Sequence, residues 1–261
     1  MQLNQARILL TGASGGLGQE LARQLAAAGA ALLLTGRDSS RLTGIVPAGS
    51  GEVEFVEANL DDPQGIATLV AAARRFRVDV LINNAGVGCF GLLEEQSWPD
   101  IGQVLKTNLE SPLRLTHALL PWLTTQPQAA IVTVGSTFGS LPFPGFAAYS
   151  AAKAGLRGFS QALRRELADS PVAVIHVAPR AIDTPLNSRA VNALNRELGN
   201  RSDSPADVAR QIVAALQASD RERHFGFPER LFAWLNGVAP RLIDQALAGK
   251  LATIKKHASS L

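Results

Sequence analysis

The sequence predicts one α/β domain, a doubly wound parallel sheet with a C-terminal helical extension. Three observations predict it. Short apolar runs alternate with helix-patterned segments from Arg7 to about Phe227, and a glycine-rich turn separates the first run from the first helix. In addition, 261 residues at 46% hydrophobic and 18% charged composition suffice for one substantial core, and no linker, low-complexity run or repeat divides them.

Arg7 to Thr11 reads as a short buried strand that runs into Gly12-Ala13-Ser14-Gly15-Gly16-Leu17-Gly18. A helix follows, with Leu17, Leu21 and Leu25 on one face and Gly29 as its stop. Glycines at such a strand-to-helix turn let the backbone come close to a pyrophosphate, whose charge the free N–H groups and positive dipole end of the helix attract. A glycine loop alone marks only a turn; between strand and helix it predicts a Rossmann-type nucleotide site. Ala31 to Thr35 is the next strand, ended by Gly36-Arg37. There a dinucleotide-binding sheet meets the adenosine ribose, where a carboxylate suits a 2′-hydroxyl and an arginine a 2′-phosphate. Gly36 offers no carboxylate, and Arg37 offers a guanidinium.

Val53 to Glu57 reads as a third strand, and Asp61-Asp62-Pro63 opens a helix through about Phe76. Asp79 to Ile82 is a fourth strand, ending in Asn83-Asn84-Ala85-Gly86. Ser97-Trp98-Pro99-Asp100 has the form of a helix start leading toward Asn108. Pro112 to Thr124 reads as a separate helix, bent or shortened by Pro121. A strand from Ala130 to Val134, a helix carrying Tyr149 through Leu167 and a strand from Val172 to Val177 come next. Ser204-Pro205-Ala206-Asp207 then starts a helix reaching Gln217, before a last strand from Arg223 to Phe227. In such sheets ligands bind at the carboxyl ends of the strands, so Gly12, Gly36, Asn83, Ser136 and Pro179 should line one rim.

The chemistry at that rim is legible in Tyr149-Ser150-Ala151-Ala152-Lys153. Four residues apart on a helix, the phenol and the ammonium share a face. A free tyrosine ionises only near pH 10, and a nearby cation favours the phenolate, so Lys153 is expected to lower the pKa of Tyr149. The strand ending at Val134 can deliver the Ser136 hydroxyl to the same place, and the three groups would hold and protonate a carbonyl oxygen. Taken alone, Tyr-x-x-x-Lys more often means one core tyrosine and one solvated lysine.

Composition excludes other classes. One cysteine, Cys89, allows no intramolecular disulfide, and with four scattered histidines no metal site is expected. A net charge of +3 without a basic stripe speaks against nucleic acid. The first apolar run is too short for a signal peptide and no segment approaches a membrane span, so a cytoplasmic location is the expectation.

From Arg7 to about Phe227 the chain resembles the short-chain dehydrogenases/reductases in their short single-domain form. The resemblance rests on Thr11-Gly12-x-x-x-Gly16-x-Gly18, Asn83-Asn84-Ala85-Gly86, Asn108, Ser136 and Tyr149-x-x-x-Lys153, in that order and spacing. It implies a nicotinamide-dependent carbonyl or alcohol redox enzyme. Tyr149 would be the general acid in reduction, and Lys153 would tune it and hold the nicotinamide ribose. Ser136 would bind the substrate oxygen, and Asn108 would hold a water that links Lys153 to solvent. Cofactor contacts are implied for Gly12, Ser14, Gly16, Leu17, Gly18, Arg37, Asn59, Leu60, Asn84, Ala85, Gly86, Tyr149, Lys153, Pro179, Ile182 and Thr184, and a homodimer or homotetramer is expected. Asn59 stands where the family commonly has Asp, and Pro179-Arg180-Ala181-Ile182-Asp183-Thr184 replaces the usual Pro-Gly-x-x-x-Thr. An exposed Arg180 could meet an acidic group on the substrate.

The expected activity is NADPH-dependent reduction of an apolar or acyl-chain ketone. The alternatives are an NADP-dependent alcohol dehydrogenase of steroid or retinoid type and a non-catalytic NADP(H)-binding sensor. Residues 1–228 would form the dinucleotide-binding and catalytic part and residues 229–261 the extension. Leu231, Phe232, Trp234, Leu235 and Val238 are too many large apolar groups to leave in water. After Pro240, the spacing of Leu242, Ala246, Leu247, Leu251 and Ile254 predicts one amphipathic helix. Five basic residues against two acidic ones in this tail allow weak peripheral membrane contact, alongside covering the substrate mouth or packing on a partner subunit.

Overall fold

The computed structural model describes residues 1–47, 49 and 51–259. Among these, β1 (Arg7–Thr11), β2 (Ala31–Gly36), β3 (Val53–Glu57), β4 (Val80–Asn83), β5 (Ala129–Val134), β6 (Val172–Ala178) and β7 (Glu222–His224) form one sheet in the order β3-β2-β1-β4-β5-β6-β7. Every neighbouring pair is parallel, with Leu9 opposite Leu33 on one side and Leu81 on the other. The central strands are buried throughout, as expected when both faces carry helices.

Alternation along each strand divides the core in two. Ile8, Leu10, Leu32, Leu34 and Ile82 pack on α1 (Gly16–Ala27) and α7 (Pro205–Ala218). Leu9, Leu33, Leu81 and Ile131 pack on α2 (Pro63–Arg75) and on Leu115, Leu119 and Leu123. The sheet order reverses between β1 and β4, which leaves the crevice for a ligand at their carboxyl ends. No helix of the described residues is long and apolar enough to cross a membrane.

Four sequence expectations are corrected. The two helices expected around Asn108 are one run: α3 (Trp98–Leu105) continues through a π turn, Lys106–Glu110, into α4 (Ser111–Leu123). Pro121 does not shorten α4, because Leu123 is fully buried and the Trp122 indole donates to the Val78 carbonyl at 2.7 Å, holding the last turn in place. The last strand is only three residues, since Gly226 turns the chain away with φ +87°. The single helix expected after Pro240 is broken near Gly249 into α9 (Pro240–Ala248) and α10 (Leu251–Ala258). Its buried positions are Ile243, Ile254 and Ala258, whereas Leu242 and Leu251 are exposed. The last two residues of the expected 229–261 extension lie outside the described residues.

Two helices gain definition here. The sequence reading passed over α6 (Arg189–Glu197), which buries only Val191 and Leu194 and is capped by Ser188. Before α9 lies α8 (Glu229–Val238). The remaining helix, α5 (Ala147–Glu166), carries Tyr149 and Lys153 and packs on β6.

The edge strand β7 is held by Glu222, which accepts hydrogen bonds from Arg157 at 2.6 Å and Gln161 at 3.0 Å on α5. The neighbouring His224 ring, with Gln161 and Arg157, holds this carboxyl well below the usual carboxylate range. A depressed folded-state pKa stabilises above the ordinary value of about 4.5 and is lost as pH falls through and below it. Glu222→Gln should therefore lower Tm near neutral pH and flatten its decline on acidification. Parallel acid slopes in the two proteins would contradict this.

Candidate active site

The carboxyl ends of β1, β4, β5 and β6 open onto a cleft of about 1570 Å³. At its floor the Thr11 hydroxyl, at the end of β1, accepts from the backbone amides of Asn84 and Ala85, both at 3.0 Å. The Asn84 side chain donates to the Thr11 carbonyl at 2.9 Å. These bonds lock the segment after β4 against the glycine turn. A Cβ on Gly12 would come within 2.7 Å of the Ala85 Cα, and one on Gly18 within 2.1 Å of the Gly12 carbonyl oxygen, so only bare backbone fits at either place. No side chain caps α1, which leaves its amino-terminal amides for a ligand in the cleft.

Ser136, Tyr149 and Lys153 all line this cleft. Ser136 follows β5 in extended conformation, its hydroxyl accepting from the Phe138 amide at 3.1 Å. Lys153 is almost completely buried, and its Nζ donates to the Val134 carbonyl at 2.9 Å. Burial pushes this ammonium down to about 8. The expected lowering of Tyr149 is not found: burial pushes the phenol up, against a smaller opposing effect of a hydrogen bond with Ser136. The Lys153 ammonium, 5.8 Å from the centre of the Tyr149 ring and bonded to the backbone, does not outweigh the loss of water.

Asn108 sits in the π turn, fully buried. Its amide group donates to the Val87 carbonyl and accepts from the Val87 amide, both at 2.8 Å. It therefore pins the chain after β4 to the helix beneath it, in a type of turn that often marks functional sites.

One end of the cleft is lined by Arg37, Asn59 and Leu60, and also by Arg41, which sequence reasoning passed over because it lies beyond the strand end. Asn59 turns its side-chain oxygen to the Asp61 amide at 3.2 Å. At the other end, Pro179, Ile182 and Thr184 line the cleft with Gly16 and Gly86. Arg180 is not free for a substrate acid. Its guanidinium makes two bonds to Asp203, at 2.6 and 2.9 Å, and one to Glu229 at 3.3 Å.

The apolar end of the cleft, lined by the tail as the sequence suggests, also carries an aromatic wall that was not foreseen. Phe90, Phe138, Phe143 and Phe146 form a wall, with Phe138 and Phe143 stacked at 5.3 Å and Phe90 tilted against Phe146 at 4.9 Å. Tyr149 meets Phe138 and Phe146 edge-on at 6.4 and 6.1 Å. Leu194 of α6, Phe232 of α8 and Leu247 of α9 complete the enclosure. The reactive hydroxyls thus sit where a polar floor meets an apolar wall.

The glycine cradle, the uncapped helix start and the cleft's size fit a nicotinamide dinucleotide together with a substrate. A family model described as short chain dehydrogenase matches residues 6–195. Dehydrogenase/reductase SDR family member 7B of Bos taurus is 32% identical over 280 residues, spanning 99% of this chain and 85% of the relative. A short chain dehydrogenase from Burkholderia cenocepacia, solved in complex with NADP, superposes with a TM-score of 0.81 at 26% identity, covering 95% of this chain and 99% of that one. The 3-ketoacyl-(acyl-carrier-protein) reductase of Brucella melitensis, complexed with NADH, gives 0.75 at 26% identity over 85% and 96% of the two chains. The chain thus belongs to the short-chain dehydrogenase/reductase family and is an NAD(P)-dependent oxidoreductase acting on CH–OH or C=O groups.

Proposed function

We propose that the protein reduces an apolar or acyl-chain ketone with NADPH. The observation that carries this reading is the placement of Ser136 and Tyr149 at the foot of the Phe90, Phe138, Phe143 and Phe146 wall, with Arg37 and Arg41 at the opposite, adenosine end. The ketoacyl reductase among the structural neighbours supports an acyl substrate class. The nicotinamide, when bound, supplies the hydride.

The residues divide the remaining work. Gly12, Ser14, Gly16, Leu17 and Gly18 would hold the pyrophosphate, and Asn59 and Leu60 the adenine. Asn84, Ala85 and Gly86 would hold the ribose, and Pro179, Ile182 and Thr184 the carboxamide. Ser136 donates to the ketone oxygen and Tyr149 gives it a proton. Burial keeps the phenol in its protonated form, which is the form that has a proton to give. Lys153, the nearby cation, stabilises the phenolate left behind and holds the nicotinamide ribose. Asn108, whose amide group is taken up by Val87, fixes the segment that carries Gly86.

The test is NADPH and NADH oxidation across ketones of increasing chain length. A charge-assisted contact is worth roughly 1.5–3 kcal/mol, so kcat/KM with NADPH should exceed that with NADH by about 10- to 150-fold, and Arg37→Asp should shrink or reverse the ratio. Equal kcat/KM for both cofactors in the native enzyme refutes the choice of NADPH. No dependence on chain length refutes the apolar substrate.

A further inference from the structure

The α8 helix turns large apolar side chains outward as well as inward. Its inward positions are Glu229, which meets Arg180 at 3.3 Å, Phe232, which lines the cleft, Ala233, which is buried, and Asn236, which donates to the Ser140 carbonyl at 3.0 Å. The positions spaced between them carry Leu231, Trp234 and Val238, which are 46%, 63% and 60% exposed. An ordinary surface helix carries polar groups on that outward face. Phe227 before the helix and Leu242 after it extend the exposed apolar surface.

We infer that this face of α8 is a docking surface for an anionic lipid bilayer. The charge beside it supports that occupant. Arg230, Arg241 and Lys250 are exposed and have no acidic partner among the described residues, while the nearby Glu229 shares the Arg180 guanidinium with Asp203, which leaves that trio one net negative charge against these three cations. Asp244 is the one acid left on α9. By contrast, Lys256 and His257 of α10 are spent on Glu197. Exposed leucine and tryptophan flanked by basic groups fit the headgroup boundary, where tryptophan is enriched and basic side chains gain from anionic lipid. A second copy fits worse. An isologous pairing brings two copies of the same basic-flanked face together, so Arg230, Arg241 and Lys250 of one copy meet a face of like sign. Phe232 lines the cleft from this same helix, so a bilayer against α8 lies at the cleft mouth. The docking does not depend on the ketone reading, because binding is measured without turnover.

The test is co-sedimentation of the full chain with phosphatidylcholine vesicles, with and without phosphatidylglycerol, accompanied by sedimentation velocity in the absence of lipid. The native protein should pellet with the anionic vesicles and be released by salt. The double variant L231S/W234S, neither residue of which lines the cleft, should lose at least about tenfold in partitioning while its Tm and NADPH affinity stay unchanged. R230Q/R241Q should lose the preference for anionic over neutral vesicles. A native protein left in the supernatant with anionic vesicles, or an L231S/W234S variant that pellets like the native chain, overturns the inference. It is equally overturned if L231S/W234S lowers the sedimenting mass of an oligomer without changing vesicle binding, which makes the face a contact between copies.

Discussion

Tyr149→Phe should lower kcat for ketone reduction by about 10²- to 10⁴-fold, the usual contribution of a positioned general acid. The substitution removes one hydroxyl and keeps the ring, so the edge-on contacts with Phe138 at 6.4 Å and Phe146 at 6.1 Å survive. NADPH affinity, read by fluorescence titration, should consequently change little, because the glycine turn, the floor at Asn84 and the Lys153 contact to Val134 are untouched. A fall in kcat below tenfold assigns the proton to another group. A matching collapse of cofactor affinity makes Tyr149 a structural member of the cofactor site instead.

Gly18→Ala should damage the fold and cofactor binding together. Its Cβ would be 2.1 Å from the Gly12 carbonyl oxygen and 2.9 Å from the Ala13 Cα, both backbone atoms that cannot rotate aside. Overpacking of this kind costs about 1–3 kcal/mol, or roughly 2–12 °C in Tm for a chain of this size. The strain falls on the loop proposed to hold the pyrophosphate, so NADPH affinity should drop by more than about tenfold. Gly102→Ala is the control. Nothing lies within 4 Å of its added carbon in α3, and exchanging a helical glycine for alanine is worth up to about 1 kcal/mol of stability. If both variants melt and bind alike, the glycine turn is not the tight joint described here.

What could be read from the sequence was what repeats locally or is punctuated by glycine and proline. The strand, glycine turn and α1 announce themselves within a short stretch, and Tyr149 and Lys153 fall on one face of α5 by helical spacing alone. The π turn at Asn108 was invisible, because five residues, Lys106–Glu110, are too few to distinguish its period from that of an α-helix. The aromatic wall was missed because Phe90, Phe138 and Phe143 lie in connections with no period to follow. Arg180 was misjudged since its partners, Asp203 and Glu229, are 23 and 49 residues away. The direction of the Tyr149 shift depends on how much water the fold excludes, which no motif records.

The all-parallel sheet also governs how the chain comes together. No two of its strands can pair through a tight turn, and each pairing closes a loop that contains at least one crossover. The central pair is the most demanding, since Leu9 must find Leu81 only after the β2, β3 and α2 segments have been set aside. The entropy of that closure is spent before the contacts repay it, so the search is dominated by sequence-distant encounters. Refolding should accordingly be slow compared with a helical bundle of equal length, and the half-assembled chain exposes apolar strand edges to its neighbours in the meantime.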